Sequence, residues 1–318
     1  MKQFLVNIFI FFLIIGIIDL CVGFSGDYFQ SHPKDNSTRV LNDLLEKDCH
    51  DVLVLGSSRA LHHFDSPFLC DTLGLDVYNA GYQGNGVVLA YGLLEMILER
   101  YHPKLVLFDV EPSFDIYVYE PDNHHKRYIS RLKPYYRNDA IGNLIKDVSY
   151  EEWIKVHSGL LRYNTKFVSL LLDVIKRKSS PPSGFEPLYG VYTKEPKKNP
   201  KEEREIDLFK LKYVEKLIEL TNTHRVPLAV VGSPKYGAES TSDLQPVIQI
   251  CNKYNVPFLN YYSDVVFNQH KEWFKDAMHL NAVGARVFSA KIAGEINRLI
   301  STDDKSADCI ISSTNYTY

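Results

Sequence analysis

Val52-Leu53-Val54-Leu55-Gly56-Ser57-Ser58-Arg59 begins as an unbroken aliphatic run and stops on a Gly-Ser turn. Such a run fills a strand buried on both faces, and its abrupt end delivers the Ser58 hydroxyl to the edge of a sheet. Short apolar runs recur at 77–79, 105–110, 227–232 and 257–259. Between them lie helical stretches at 66–73, 87–100, 208–221, 244–254 and 282–299. In 87–100, Leu89, Leu93, Leu94, Ile97 and Leu98 share one side. Fully apolar strands alternating with helices predict an α/β fold whose parallel sheet is covered on both faces. Ligands of such sheets bind beyond the carboxyl ends of the strands, so Ser58, Gly84 and the segment after Val110 fall on one rim.

Near the other end of the chain stands Asp276-Ala277-Met278-His279. Three positions apart, the carboxylate and imidazole fit one local turn, where Asp276 can orient His279. A serine hydroxyl is unreactive until a base within hydrogen-bond reach takes its proton. Ser58, His279 and Asp276 are therefore the candidate nucleophile, base and orienting acid. Charge developing on an attacked carbonyl needs preorganised donors, for which the backbone N–H groups of Ser58 and Gly84 are candidates. Each residue also has a plainer reading. Ser58 is a favoured helix N-cap, and Asp276 and His279 could cap the helix that follows. Arg59 and Asn85 are the candidate substrate contacts, with a surface charge as the alternative for Arg59. His62-His63 and His124-His125 read as ordinary surface pairs. Asp109 and Glu111 lack the supporting motif of a glycosidase pair.

These blocks resemble the SGNH (GDSL-type) hydrolases. In that family a Gly-Asp-Ser-like block after the first strand carries the nucleophile, and Gly56-Ser57-Ser58-Arg59 is similar to it, with Ser57 in place of Asp. Asn79-Ala80-Gly81-Tyr82-Gln83-Gly84 resembles the block that contributes an oxyanion-hole glycine, which points to Gly84. Asp276 and His279, followed by Leu280-Asn281, match the last block. The resemblance implies a three-layer α/β/α sandwich with a flavodoxin-like parallel sheet over roughly 51–299. One block departs: the family's Gly-x-Asn-Asp is replaced by Glu111-Pro112-Ser113-Phe114-Asp115. Ser113 stands nearest the missing Asn and is the candidate third oxyanion donor. Losing such a donor costs on the order of 3 kcal/mol in the transition state. Among membrane-anchored relatives, resemblance to the D-alanyl transfer protein DltD and alginate acetylation proteins implies acyl transfer on cell-envelope polymers.

The chain has 318 residues, 45% hydrophobic and 24% charged, the balance of a globular protein with one large or two modest domains. A net charge of −3 with dispersed basic residues leaves no footprint for nucleic acid. Residues 4–24 are almost wholly apolar, interrupted by Asn7 and Asp19, and are long enough for a hydrocarbon core of about 30 Å. A retained anchor is favoured over a cleaved signal peptide, since no Ala-x-Ala site follows. Lys2 before the span and Asp19 and Asp27 at its far end place the remainder outside the cytoplasm.

Residues 25–50 read as a linker containing a helix near 41–46, and 301–318 as a disordered tail. The stretch 115–205 breaks the α/β pattern and reads as a cap inserted in the 51–300 domain, or as a solvated excursion. Helices are expected in it near 138–146 and 167–176. Its tyrosines, Tyr117, Tyr119, Tyr128, Tyr135, Tyr136 and Tyr163, favour a carbohydrate or acylated polymer substrate. Cys49, Cys70, Cys251 and Cys309 match no zinc spacing, and Cys49 with Cys70 is the nearest pair for an incidental disulfide. The expected function is a membrane-anchored serine esterase or O-acyltransferase that needs no metal or organic cofactor. The alternative is an inactive scaffold or glycan-binding component among envelope-assembly partners.

Overall fold

The computed structural model describes residues 1–33, 37–119, 124–164, 166–175, 183–194 and 204–313. In chain order it runs α1 (Lys2–Ser31), α2 (Ser37–Glu46), β1 (Val52–Gly56), α3 (Ser58–His63), α4 (Ser66–Leu73) and β2 (Val77–Asn79). Then follow α5 (Val87–Leu98), β3 (Leu105–Asp109), α6 (Pro112–Asp115), α7 (His124–Tyr128), α8 (Asp139–Val148), α9 (Tyr150–Lys155), α10 (Gly159–Tyr163) and α11 (Phe167–Ile175). The chain ends with α12 (Leu208–His224), β4 (Leu228–Gly232), α13 (Gln245–Tyr254), β5 (Phe258–Asn260), α14 (Val265–Gln269) and α15 (Ala282–Ser313).

Two compact units divide these elements. One holds residues 49–124 and 181–318, and the other residues 1–48 and 125–180. The first is the predicted α/β fold. Its five strands are all parallel in the order β2-β1-β3-β4-β5, the flavodoxin-like arrangement. Every residue of β1, β3 and β4 is buried. Val52, Val54, Leu105, Leu107, Ala229 and Val231 form one core with Leu69 of α4 and with Phe288, Ile292 and Ile296 of α15. On the other side α5 packs on β1 and against α12.

A strand buried on both faces has no polar alternation to set its register. Gly56 sets it here. Its φ is +144°, and a Cβ there would lie 2.6 Å from the carbonyl oxygen of Asp109, its partner on β3. A slip of one residue would drive Leu55 or Ser57 into that carbonyl. The register that places Ser58 just past the strand end is thus enforced by a steric fit.

The second unit is helical and is organised by α1. The Asp19 side chain accepts from Ser158 Oγ at 2.5 Å and from the amides of Gly159 and Leu160 at 3.1 and 2.9 Å, at the start of α10. Two turns on, Asp27 accepts from Arg162 Nη2 at 3.0 and 3.1 Å and from the Tyr163 hydroxyl at 2.6 Å. Phe29 meets Phe167 of α11 edge to face. A helix of five residues is far too short to stand alone, so these contacts are what define α10, while α9 packs on α8.

Several expectations are corrected. The linker is largely helical: α1 continues to Ser31, and α2 occupies most of the rest. The tail is helical through Ser313, because 301–313 contains neither glycine nor proline to stop α15, and residues 314–318 lie outside the described residues. The insertion is split between the units, its helices grouping with α1 and residues 183–194 with the sheet. Tyr128 and Tyr163 are fully buried, so they support their own unit and offer no face to a sugar. Cys49 and Cys70 are both free, Cys70 Sγ accepting instead from the Val77 amide at 3.2 Å.

Candidate active site

At the carboxyl rim, where the strand order reverses between β1 and β3, the chain turns directly into α3. Ser57 is the N-cap of this helix, its Oγ accepting from the Arg59 amide at 3.3 Å. Capping by Ser57 leaves the Ser58 hydroxyl to other work. Ser58 Oγ lies 2.8 Å from His279 Nε2, and His279 Nδ1 lies 3.0 Å from both carboxylate oxygens of Asp276. Residues 221 apart in sequence thus form one hydrogen-bonded chain from hydroxyl to imidazole to carboxylate.

The His279 loop is built to hold that geometry. A bridge between Phe274 and Leu280 closes it, and Asp276 Oδ1 accepts from the amides of Met278 and His279 at 2.8 and 2.9 Å. Partial burial opposes ionisation of Asp276, but the His279 side chain and those two amides outweigh it and hold the carboxyl below its usual range. The N-cap of α15 is Asn281, whose Oδ1 accepts from the Val283 and Gly284 amides, each at 3.1 Å. The capping alternative for Asp276 and His279 is therefore filled by another residue.

Ser58 heads α3, so its N–H has no acceptor within the helix and is available as a donor. Gly84 adopts φ +68°, a left-handed turn that suits glycine, two residues before the N-cap of α5. Its loop is tied to the end of β1, with Ala80 N donating to Val54 O at 2.7 Å and Tyr82 N to Gly56 O at 2.9 Å. The side chain of Asn79 joins the two loops. Its Nδ2 donates to the carbonyls of Ala60 and Phe64 at 2.7 and 3.0 Å, and its Oδ1 accepts from the Gly81 amide at 3.0 Å. Asn85, 8% exposed, donates to Gln83 O at 3.1 Å, and its Oδ1 has no partner among the described residues.

One expected site residue is turned away from the hydroxyl. Arg59 is fully buried, with Nη2 on the carbonyl and Oγ of Ser233 and its guanidinium over the Tyr262 ring. It turns into the core toward Asp109 and cannot meet a substrate. Ser113 sits half-buried in α6, with its carbonyl accepting from Lys210 Nζ at 2.8 Å. Asp115 at the end of α6 instead accepts from the Val87 and Glu111 amides, each at 2.6 Å.

The histidine pair read as surface is buried. His62 Nδ1 meets Glu186 O at 2.6 Å, and its ring packs edge-on to His279. His63 accepts from the Leu280 amide at 3.0 Å through Nε2, and its Nδ1 lies 2.9 Å from Ser233 Oγ. Ser233 Oγ in turn donates to Asp109 Oδ2 at 2.9 Å. Burial pushes the Asp109 carboxyl up to about 6 despite nearby Arg59 and the Ser233 bonds. This network ties β3, β4 and α3 to the residue next to His279. Residues 186–192 then cross the same loop: Ala282 N donates to Leu188 O at 2.7 Å and Asn281 Nδ2 to Gly190 O at 2.9 Å. Hollows lined by Leu105, Pro227 and Pro257, and by Asp51, Asp76 and Lys104, open at the opposite rim and include none of these residues.

No protein-family model matches the chain, and no curated protein does. Among solved structures it is similar to one described as an acylhydrolase from Bacteroides fragilis NCTC 9343, at 12% identity and a TM-score of 0.43, over 83% of this chain and 97% of that one. It is also similar to an acetyl xylan esterase, AlAXEase, at 9% identity and a TM-score of 0.41, over 77% and 99%. A third is described as a lipolytic protein of the G-D-S-L family from Desulfitobacterium hafniense DCB-2, at 9% and 0.38, over 76% and 98%. At this distance the chemical reading rests on the geometry of Ser58, His279 and Asp276 themselves.

Proposed function

We propose that the protein is a membrane-anchored serine esterase or O-acyltransferase of the SGNH (GDSL) type. The observation that carries this is the 2.8 Å approach of Ser58 Oγ to His279 Nε2, with Asp276 behind the ring. Ser58 attacks an ester carbonyl while His279 takes its proton, and Asp276 stabilises the imidazolium. The Ser58 and Gly84 amides receive the developing oxyanion. Collapse expels the alcohol, protonated by His279, and leaves an acyl-enzyme. Water as the second acceptor completes hydrolysis, and a sugar hydroxyl completes transfer. Support for an envelope carbohydrate substrate comes from Tyr189, 73% exposed between Leu188 and Gly190, which both bond the turn after His279. Support for anchoring comes from α1, long and apolar enough to cross a membrane; the flanking charges favour an extracytoplasmic domain.

Ser113 in place of the family's Asn favours a second reading, an SGNH-type fold that binds an envelope glycan without turning it over. A fluorophosphonate serine probe separates the two. Labelling of the wild type, abolished in Ser58→Ala and in His279→Ala, is expected, with turnover of a small acetyl ester falling about 1,000-fold or more in each variant. A folded wild type that takes no label would leave the binding reading.

A further inference from the structure

We infer that the first turn of α10, with the edge of α9 before it, is seated in the surface of the lipid bilayer alongside α1. This rests on the reading of α1 as a retained span. α1 has 30 residues and is about 45 Å long, whereas a hydrocarbon core of about 30 Å takes about 20 of them. Counted from Phe4, the apolar run ends near Phe24, and Asp19 falls about 7 Å inside that end. A carboxylate at such a depth is costly unless something satisfies it. Ser158 Oγ and the amides of Gly159 and Leu160 do so, all from the start of α10. Those three residues therefore accompany Asp19 to its depth.

The packing permits this. Gly23 and Gly159 face each other with no side chain between the backbones, a Cβ on Gly23 reaching 3.3 Å from Gly159 Cα. Around the crossing, side chains that would face water in a soluble helical unit are apolar: Leu20 is 70% exposed, Phe24 84%, Leu161 50% and Ile154 53%. Tyr150 stacks on Trp153, and Lys146 Nζ lies 5.1 Å from the centre of the Trp153 ring. Tyrosine, tryptophan and lysine so placed are the groups that collect at a membrane–water interface. A bilayer covers this patch with the same lipid that surrounds the apolar residues of α1.

The test uses the full chain in nanodiscs, with Trp153→Phe and Trp273→Phe as background and one tryptophan restored by Leu161→Trp or by Ile15→Trp. Lipids brominated on their acyl chains quench tryptophan on contact. Quenching is expected for both, of similar extent. Quenching at 15 without quenching at 161 would overturn the seating of α10 while leaving the span intact; a second protein copy covering the patch would give this result. Absence of quenching at both would sink the span and the seating together. Leu161→Asp, at a half-exposed position, provides a check that needs no tryptophan: lower nanodisc partitioning than the wild type is expected, and unchanged partitioning would count against the seating.

Discussion

The Leu280 amide donates to Nε2 of His63, which leaves the proton of that ring on Nδ1, directed at Ser233 Oγ. Ser233 Oγ also accepts from Arg59 and gives its own proton to Asp109, so each group's role in the chain of bonds is determined. Burial first, then the charges of Arg59, His279 and His62, hold His63 well below its usual range. The native ring is neutral, while in the unfolded chain it takes a proton near pH 6.5. Its stabilising contribution is therefore complete above that value and declines as the pH falls below it, by about 1.4 kcal/mol per pH unit for one proton. His62, lowered chiefly by burial, adds in the same direction. Asp109, raised to about 6, takes up its proton in the native state over the same window and acts the opposite way, so the test is a difference: between about pH 7 and pH 5 the wild-type thermal midpoint should fall relative to that of His63→Gln, and parallel curves would contradict a neutral buried His63. None of this was legible in Ser-Arg-Ala-Leu-His-His, because the partners Asp109 and Ser233 arrive from two distant strands. That Ser58, Asp276 and His279 would meet was easier to anticipate, since a hydroxyl at a strand end and an Asp-x-x-His turn are local features.

At the scale of the element, the hinge between β1 and α3 carries the site. Gly56→Ala would force an L-residue to φ +144° and press its methyl on the Asp109 carbonyl. A loss of about 2–4 kcal/mol is expected in urea unfolding, together with slower probe labelling as Ser58 shifts from His279. Unchanged stability would mean that Gly56 does not set the register. The strands could be read from sequence because parallel strands buried on both faces are continuous apolar runs. α3 could not, since six residues that are polar except for Ala60 and Leu61 show no apolar stripe. α10 was missed for a related reason: its partners are Asp19 and Asp27, carboxylates that read as the charged border of a span.

At the scale of the whole molecule, the chain divides into a sheet unit and a helical unit of which α1 is a working part. A leader peptide is dispensable to the fold it precedes, but the start of α10 is bonded to Asp19 and packed on Gly23. Removal of residues 1–24 should therefore make 125–175 sensitive to limited proteolysis while 49–119 and 204–300 stay protected. Equal protection of 125–175 in the shortened chain would show that α1 does not support them. The two-unit division was not legible, because nothing in 115–205 announces that its helices group with the N-terminus.

The segment that crosses the His279 loop is attached through its main chain. Glu186 uses its amide on Leu61 O and its carbonyl on His62, Leu188 and Gly190 use carbonyls, and Tyr192 uses its amide on Phe274 O. None of these bonds depends on which side chains the segment carries, and Glu186, Tyr189 and Val191 point to solvent. On the proposed esterase reading, chemistry and selectivity are thereby separable in inheritance: substitutions along this strap can recast which ester is bound while the imidazole beneath it keeps its place.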